Sequence, residues 1–218
     1  MGTAVILDVL GSMVIGGMLL LILFRLNDST TQNTYNFSGE LVTQQNMVTT
    51  VEVLEYDFRK IGYCENPLAL PDPEENAILY ADTSKIRFLT DVLVPPYNDP
   101  HGDGVVDTME YCLGSPITST PNPNDRMLYR IVDGDTTGVN LGITEFKIRY
   151  FRDSLMATGG TTLAEILPND LPKSAPTGIT AMEIDIRVEN TSTYNAGKNP
   201  YRTAFWRQIR LSSRNLNR

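Results

Sequence analysis

The chain begins with a long segment in which almost every side chain is apolar. Residues 1–24 read MGTAVILDVLGSMVIGGMLLLILF and contain one charged side chain, Asp8, before Arg25 opens a polar stretch. As a helix this segment spans roughly 36 Å, enough to cross a hydrocarbon core of about 30 Å. A cleaved secretory signal fits poorly, because no basic residue precedes the apolar stretch and no Ala-x-Ala site follows it. Residues 19–24 are apolar on every face, which favours a membrane or polymer environment over a buried core helix. We therefore predict that residues 1–25 form a transmembrane helix or the core of a filament.

A second helical pattern covers residues 38–62. Its apolar residues recur at intervals of three, four and seven, the spacing of one helix face, and they are Leu41, Val48, Val51, Leu54, Phe58 and Ile61. Ser38 and Glu40 begin this helix with cap-like chemistry, and Gly62 ends it. The polar residues before it either continue the first helix or break it. We predict that residues 26–62 form an amphipathic continuation that covers one face of a sheet.

After Cys64 the apolar period becomes that of a β-strand. Alternation is clearest over residues 181–189, AMEIDIRVE, which predicts an antiparallel strand with Glu183 and Asp185 on a solvated face. The same reasoning predicts strands at 77–80, 85–90, 107–113, 126–132, 144–151 and 203–211. A helix followed by strands indicates an α+β fold, a long N-terminal helix packed on an antiparallel sheet. Residues 63–218 are predicted to form its β-rich globular head.

Composition narrows the possible functions. The 218 residues include 18 Lys plus Arg and 26 Asp plus Glu, for a formal net charge of −8. Such an acidic chain does not suit a nucleic-acid-binding protein, which needs a clustered basic face, so we predict no nucleic-acid partner. With a single His and no phosphate-binding glycine motif, no catalytic set emerges. We predict that the protein is not an enzyme.

The end of the second helix resembles a known family. Within LEYDFRKIGYC, residues 54–64, the matching positions are Leu54, Asp57, Phe58, Arg59, Gly62, Tyr63 and Cys64. Together with the apolar first helix, this phrase resembles the type IV pilin-like superfamily, and it is closest to the PilW-type minor pilins and pseudopilins. DGVVDTMEYCL at 103–113 and PNPNDRMLYRIVDG at 121–134 also resemble that family. The resemblance covers most of residues 1–151.

The resemblance implies a structural subunit of a pilus-like filament or pseudopilus that assembles through its apolar helix. Its partners would be copies of itself or related pilin-like subunits. It would cross the bacterial membrane once before assembly and would then lie in an extracellular or periplasmic filament. The alternative is a membrane-anchored periplasmic or surface domain that binds calcium or a partner without polymerising.

The N-terminus departs from the pilin pattern. Pilins carry a short basic leader, and none precedes Met1 in this sequence. They usually have Glu at the fifth mature position, where this chain has Val5, and we expect Asp8 to take that role. In a staggered bundle the Met1 amine of a neighbouring subunit would relieve the cost of burying Asp8. Pilins also have a Pro in the apolar half, and we expect Gly16 and Gly17 to supply a comparable local weakness or a close helix contact.

Residues 99–110, DPHGDGVVDTME, fit the spacing of an EF-hand calcium loop. Its oxygen positions and its central Gly fall on Asp99, His101, Asp103, Gly104, Val105 (through its carbonyl), Asp107 and Glu110. The imidazole of His101 is a poor calcium ligand. The alternative, which we prefer, is a polar β-hairpin turn, since Asp-Gly is a strong hairpin signal. Calcium is the one cofactor that the sequence suggests.

The chain has two cysteines, Cys64 and Cys112. A disulfide between them is chemically allowed if the head lies outside the cytoplasm. Two separate buried thiols are the alternative, and we favour the bridge. Neither a Cys-x-x-Cys pair nor a zinc spacing is present, so we predict no metal bound by these thiols.

Overall fold

The computed structural model describes residues 2–70, 77–92, 102–155, 161–171, 173–174, 176, 178–191, 201 and 203–211. Within these ranges one α-helix, α1 (Gly2–Arg59), precedes an antiparallel sheet, and two short 3-10 helices lie at Pro67–Ala69 and Pro168–Asp170. The strands are β1 (Ile78–Ala81), β2 (Lys85–Thr90), β3 (Asp107–Pro116), β4 (Arg126–Val132), β5 (Asp135–Leu155), β6 (Thr161–Ile166), β7 (Lys173–Ser174), β8 (Ala181–Glu189) and β9 (Thr203–Leu211). The predicted α+β fold is confirmed.

The sequence did not decide whether the polar residues 26–37 continue the first helix or break it. They continue the helix, and α1 runs unbroken for 58 residues, a length of roughly 87 Å. Every side chain described between residues 2 and 31 is exposed. The first fully buried side chain is that of Thr43, so the sheet covers only the last third or so of the helix.

The sheet has the strand order β7-β1-β2-β3-β4-β5-β8-β9, with β6 paired to β5 outside this path. Strands β4 and β5 form a hairpin whose register pairs Val132 with Asp135. The two residues between them, Asp133 and Gly134, have φ angles of 49° and 92°. Positive φ at both positions is the signature of a two-residue hairpin turn of type I′, for which Asp-Gly is a favoured sequence.

The predicted strand at 144–151 was too short, because β5 begins at Asp135 and pairs first with β4 and then with β8. Strand β6 was not predicted from the sequence. Its residues, TTLAEI, pair with the last part of β5 only, and this short element lacks clean alternation. The predicted strands at 85–90, 126–132, 181–189 and 203–211 have the observed bounds.

The helix face that packs on the sheet differs from the predicted one at its N-terminal end. Leu41 and Val48 are 67% and 55% exposed, whereas Thr43, Met47 and Thr50 are buried. The threonine hydroxyls donate to backbone carbonyls four residues earlier, each at 2.8 Å. This bond satisfies the polar group and leaves the methyl group free to pack, so threonine can replace an apolar residue on the buried face. From Leu54 to Ile61 the predicted face is confirmed.

The solvated face predicted for β8 is also corrected. Glu183 and Asp185 are 5% and 8% exposed. Both carboxylates pair with Arg149 of the neighbouring β5, with 3.7 Å between Arg149 Nη2 and Asp185 Oδ2. Because Arg149 lies directly opposite Glu183 in the register, this is a cross-strand charge pair that stabilises the sheet.

Candidate functional site

The largest uncovered apolar surface of the described chain is the free half of α1. Its large apolar side chains between Val5 and Leu26 are all more than half exposed, from 52% at Leu20 to 72% at Met13. The segment is long and apolar enough to cross a membrane, and none of it is buried against the head. We call residues 5–26 the apolar helix surface.

The predicted assembly residues lie on or beside this surface. Asp8 is exposed, and no described side chain forms an ion pair with it. A side chain built at Gly16 or Gly17 would meet open space, and the helix does not unwind there. Met1 lies outside the described residues. Asp8, Gly16 and Gly17 are therefore accessible to a second subunit, and the role of the four residues in assembly stays a prediction.

A second exposed apolar line lies further along α1. Phe37, Leu41 and Val48 are 72%, 67% and 55% exposed. Their spacing of four and seven residues places them on one face of the helix. This face is rotated by about a third of a turn from the face that packs on the sheet. We call these three residues the helix stripe.

The pilin-like phrase at the end of α1 anchors the helix to the sheet through Asp57. This carboxylate is 1% exposed. Arg130 of β4 donates from Nε to Oδ2 at 2.6 Å and from Nη2 to Oδ1 at 3.2 Å. The Tyr111 hydroxyl of β3 donates to the same Oδ2. Two strands are thus tied to one helical carboxylate by a bidentate ion pair and a hydrogen bond.

This anchor has clear electrostatic effects on its partners. Burial and the Asp57 charge raise the pKa of Tyr111 well above its usual value, so its hydroxyl remains a donor. Burial acts to lower the pKa of Arg130, but the Asp57 carboxylate outweighs it and raises that pKa. Arg130 and Tyr111 were not singled out from the sequence as partners of Asp57. The signal available was a single acidic residue, Asp57, next to Leu54, Phe58 and Ile61 on the apolar face of an amphipathic helix.

The other residues of the phrase complete the junction. The ring of Phe58 packs 5.5 Å from Phe88 and 5.6 Å from Tyr111, measured between ring centroids. Gly62 lies in the turn that follows the end of α1 at Arg59; it has a φ of 68° and donates its N–H to the Leu89 carbonyl at 2.8 Å. That left-handed conformation suits glycine and explains why the phrase ends in one.

The candidate calcium loop does not form within the described residues. Asp99 and His101 lie outside them. The N–H groups of Asp103 and Gly104 each point at the buried Asp91 carboxylate, 3.0 Å from its oxygens. Here the loop backbone presents N–H donors to an anion, whereas a calcium loop presents oxygens to a cation.

Two further calcium candidates, Asp103 and Glu110, have other partners. The Asp103 carboxylate accepts the N–H of Val105 at 2.9 Å, in a local turn. Glu110 lies in β3 and pairs across the sheet with Lys85 at 2.8 Å and Arg87 at 2.6 Å. In the part of the chain that the structure describes, no group of three or more His, Cys, Asp or Glu side chains fits a metal ion. Residues 102–106 lie in the connection between the antiparallel strands β2 and β3, and residues 107–110 lie in β3. Asp103 and Gly104 do not form the hairpin turn of the alternative prediction, because β2 already ends at Thr90.

Asp107, the last calcium candidate, is a buried acid with a second acid beside it. Its Oδ2 accepts the N–H of Val92 at 2.8 Å, and it is 5% exposed. Burial is the main cause that raises the pKa of Asp107 to about 6, with Asp133 and Asp103 adding to it. The Val92 N–H acts in the opposite direction.

This raised pKa predicts that the contribution of Asp107 to the stability of the fold falls as the pH rises. The unfolded chain releases the Asp107 proton near its usual value of 3.8, whereas the folded chain holds it to about 6. The contribution of Asp107 to stability is therefore largest below pH 4 and decreases as the pH rises to 6. Asp107→Asn keeps the acceptor for Val92 and removes the charge. We expect the loss of the charge to stabilise the folded chain by about 1 kcal/mol at pH 7.5. In a chain of this length, such a gain raises the melting temperature by about 2–4 °C above that of the wild type. At pH 4 we expect no difference between the two proteins. A gain that is equal at both pH values would contradict this explanation.

The favoured Cys64–Cys112 disulfide is not present, because both residues are free thiols. Cys64 follows α1, and its Sγ lies 3.5 Å from Asp91 Oδ2. Cys112 is next to Tyr111 in β3 and so points away from α1. The two thiols therefore lie in different environments. Burial raises the pKa of both thiols, which makes them poor nucleophiles.

No protein family, curated protein or solved structure matches this chain.

Proposed function

We propose that the protein is a structural subunit of a type IV pilus-like filament or pseudopilus, assembled through α1. The observation that carries the proposal is the apolar helix surface, residues 5–26, which is uncovered and continuous with a helix that the sheet anchors at its far end. Burying a large apolar side chain is worth about 1.5–3 kcal/mol. A surface of this size therefore has to lie in lipid or against other helices.

The helix stripe favours assembly over simple membrane anchoring. The segment from Val5 to Phe24 already spans roughly 30 Å, the thickness of a hydrocarbon core. Phe37 lies roughly 20 Å beyond Phe24 along the helix axis, outside that core. A single-pass anchor has no use for exposed Phe37, Leu41 and Val48, whereas a bundle of long helices buries such a line. The membrane-anchored domain that does not polymerise leaves this line unexplained.

The proposal places the protein in the bacterial cell envelope. The helix crosses the membrane once before assembly and lies in the core of the filament afterwards. The partners are copies of this chain or related pilin-like subunits, and the role is structural rather than catalytic. In the filament Asp8 faces the Met1 amine of a neighbour, and this pair sets the stagger between subunits because a lone buried carboxylate is strongly unfavourable. Gly16 and Gly17 allow close contact between the helices.

The helix stripe can be tested with a matched pair of substitutions. Leu41→Gln puts a polar group on the stripe, and Leu68→Gln makes the same change on an exposed turn outside the helix. Leu41 and Leu68 are 67% and 95% exposed, so neither change opens a cavity in the head. We expect Leu41→Gln to lower the yield of sheared filaments about tenfold or more and Leu68→Gln to leave it unchanged, with equal amounts of protein in the cells. Equal filament yields from both variants would mean that the helix stripe is not part of the interface between subunits.

A further inference from the structure

An apolar groove lies between α1 and the sheet, along one side of the helix. It is lined by residues of α1 between positions 49 and 54 and by strands β3, β4 and β5, with Leu128, Leu141 and Ile143 among the strand residues. Its wall is apolar, and its volume is about 290 Å³, below the range of about 300–1,000 Å³ of small-molecule sites. Val53, which lines it, is 46% exposed. We call it the helix–sheet groove, and its size and chemistry suit the side chains of a protein partner.

The helix–sheet groove and the helix stripe lie on opposite sides of α1. Successive residues of a helix are about 100° apart around its axis. Val48 of the stripe follows the buried Met47 by one residue, whereas Val53 of the groove precedes the buried Leu54 by one residue. The two valines are therefore turned away from the buried face in opposite directions. Two different surfaces on the two sides of one subunit can form a heterologous contact, which repeats from subunit to subunit into an open helical filament.

The proposed contact between Asp8 and a neighbouring Met1 amine brings the stripe and the groove to the same level along the helix axis. Asp8 lies seven residues after Met1, so this contact shifts parallel helices by roughly 10 Å. Leu41 and Val48 of the shifted subunit then lie level with positions 48 and 55 of its neighbour. These positions bracket the α1 residues that line the groove. One stagger therefore serves both contacts.

The charges beside the two surfaces are complementary at this stagger. Glu52 is exposed four residues after Val48, on the stripe side of α1, and no described side chain forms an ion pair with it. Lys60 lies seven residues after Val53, on the groove side, with its Nζ 4.6 Å from the centroid of the Tyr56 ring. The seven-residue shift places Glu52 of one subunit within one residue of the level of Lys60 in its neighbour. Opposite charges at the edge of an apolar contact favour this register over others.

We propose that the helix stripe of one subunit docks in the helix–sheet groove of the next copy of the chain, with Glu52 beside Lys60. This inference rests on the proposed function and goes beyond it, because it names the surface that receives the stripe. Each subunit offers its stripe to one neighbour and its groove to another, so assembly does not stop at a dimer. The head lies on the third side of α1, on the outside of the filament.

Cysteine cross-linking in filaments sheared from cells tests which surfaces meet. Leu41→Cys and Thr49→Cys are combined in one chain, where the two positions are roughly 12 Å apart along the axis. A disulfide within one chain is excluded, because the Cα atoms of a disulfide lie within about 7 Å. We expect oxidation to give a ladder of dimers, trimers and longer products on a non-reducing gel. The matched control combines Leu41→Cys with Val48→Cys, which lies at nearly the same level as Thr49 but on the stripe side, and it should give no ladder.

The outcomes separate this inference from the proposed function. Wild-type filaments in which the Leu41→Cys, Thr49→Cys chain assembles without a ladder would refute the inference alone. A ladder from the Leu41→Cys, Val48→Cys chain would also refute it, because the stripe would then meet another stripe. If no filament contains the wild-type chain, the proposed function fails and this inference fails with it.

Charge exchange provides a second readout that needs no cysteine. Glu52→Lys and Lys60→Glu should each lower the yield of sheared filaments about tenfold or more, because each places like charges together. The double variant should restore the yield. Glu65→Lys, the same reversal at an exposed residue outside α1, should leave the yield unchanged, and all variants should unfold in detergent micelles at nearly the wild-type temperature. A double variant that assembles no better than the single variants would overturn the pairing of stripe and groove.

Discussion

Deletion of residues 1–25 is expected to yield a soluble, folded monomer and to abolish filament formation completely. The fully buried side chains of the described chain begin at Thr43, so the deletion removes no part of the core. It does remove nearly all of the apolar helix surface, which is the element proposed to hold subunits together. Sedimentation and circular dichroism would measure the monomer and its fold, and electron microscopy of sheared cells would measure filaments.

The control for this deletion is the full chain in detergent micelles. Because the apolar half of α1 makes no contact with the head, both forms should unfold at nearly the same temperature. A truncated chain that still enters filaments would refute the assembly role of the helix. A truncated chain that fails to fold would contradict the conclusion that the head carries its own core.

Substitution of Asp57 is expected to have the largest effect on stability. Asp57→Ala removes the carboxylate that Arg130 and Tyr111 share, and it leaves the Arg130 guanidinium, 30% exposed, without its partner. Breaking a buried ion pair from one side costs about 3–5 kcal/mol, and the partial exposure of Arg130 places the expected loss near about 3 kcal/mol. Urea unfolding of the chain that lacks residues 1–25 would measure it.

The same helical turn offers a matched control. Glu55 pairs with Arg59 at 3.3 Å, but these side chains are 32% and 68% exposed. Glu55→Ala removes a carboxylate of similar size from an exposed i,i+4 pair, which is worth about 0.3–0.5 kcal/mol. The two variants should therefore differ several-fold in their effect. Similar losses for both would mean that Asp57 is an ordinary surface charge and not the anchor between helix and sheet.

The sequence predicted the fold well where one physical signal dominates a segment. Residues 181–189 alternate strictly, and β8 has the predicted bounds. The length of apolar chain at the N-terminus likewise predicted a helix that can cross a membrane, and α1 is long and apolar enough to do so. Prediction failed where a polar residue has a local way to satisfy its hydrogen bonds. Thr43 and Thr50 are buried because their hydroxyls bond within the helix, which no count of apolar residues detects.

Charged residues were predicted less well than apolar ones, because their partners come from other strands. Glu183 was assigned to solvent, yet it is buried, and Arg149 lies opposite it in the register and pairs with it. Glu110 fitted a calcium loop by spacing alone, but strand pairing places Lys85 and Arg87 beside it. Spacing along the chain reports which residues are near in sequence. It does not report which side chains converge in space, and a metal site depends on the latter.

The structure also gives a physical meaning to the pilin-like phrase in residues 54–64. Leu54 and Phe58 are buried against the sheet, Asp57 holds two strands, and Gly62 turns the chain away from the helix. The phrase is therefore the joint between the long helix and the head. Such a joint suits a subunit whose exposed helix is held by neighbours, and it supports the proposed function without testing it.

Electron microscopy of filaments sheared from the cell surface, with mass spectrometry to identify this chain and helical reconstruction of the filament, tests the central claim most directly. We expect filaments that contain this protein, with parallel α1 helices in the core, Leu41 at a helix contact and Asp8 facing the Met1 amine of a neighbour. If instead the chain remains entirely in the membrane fraction as separate subunits, and no filament contains it, the protein is a membrane-anchored domain and not a filament subunit.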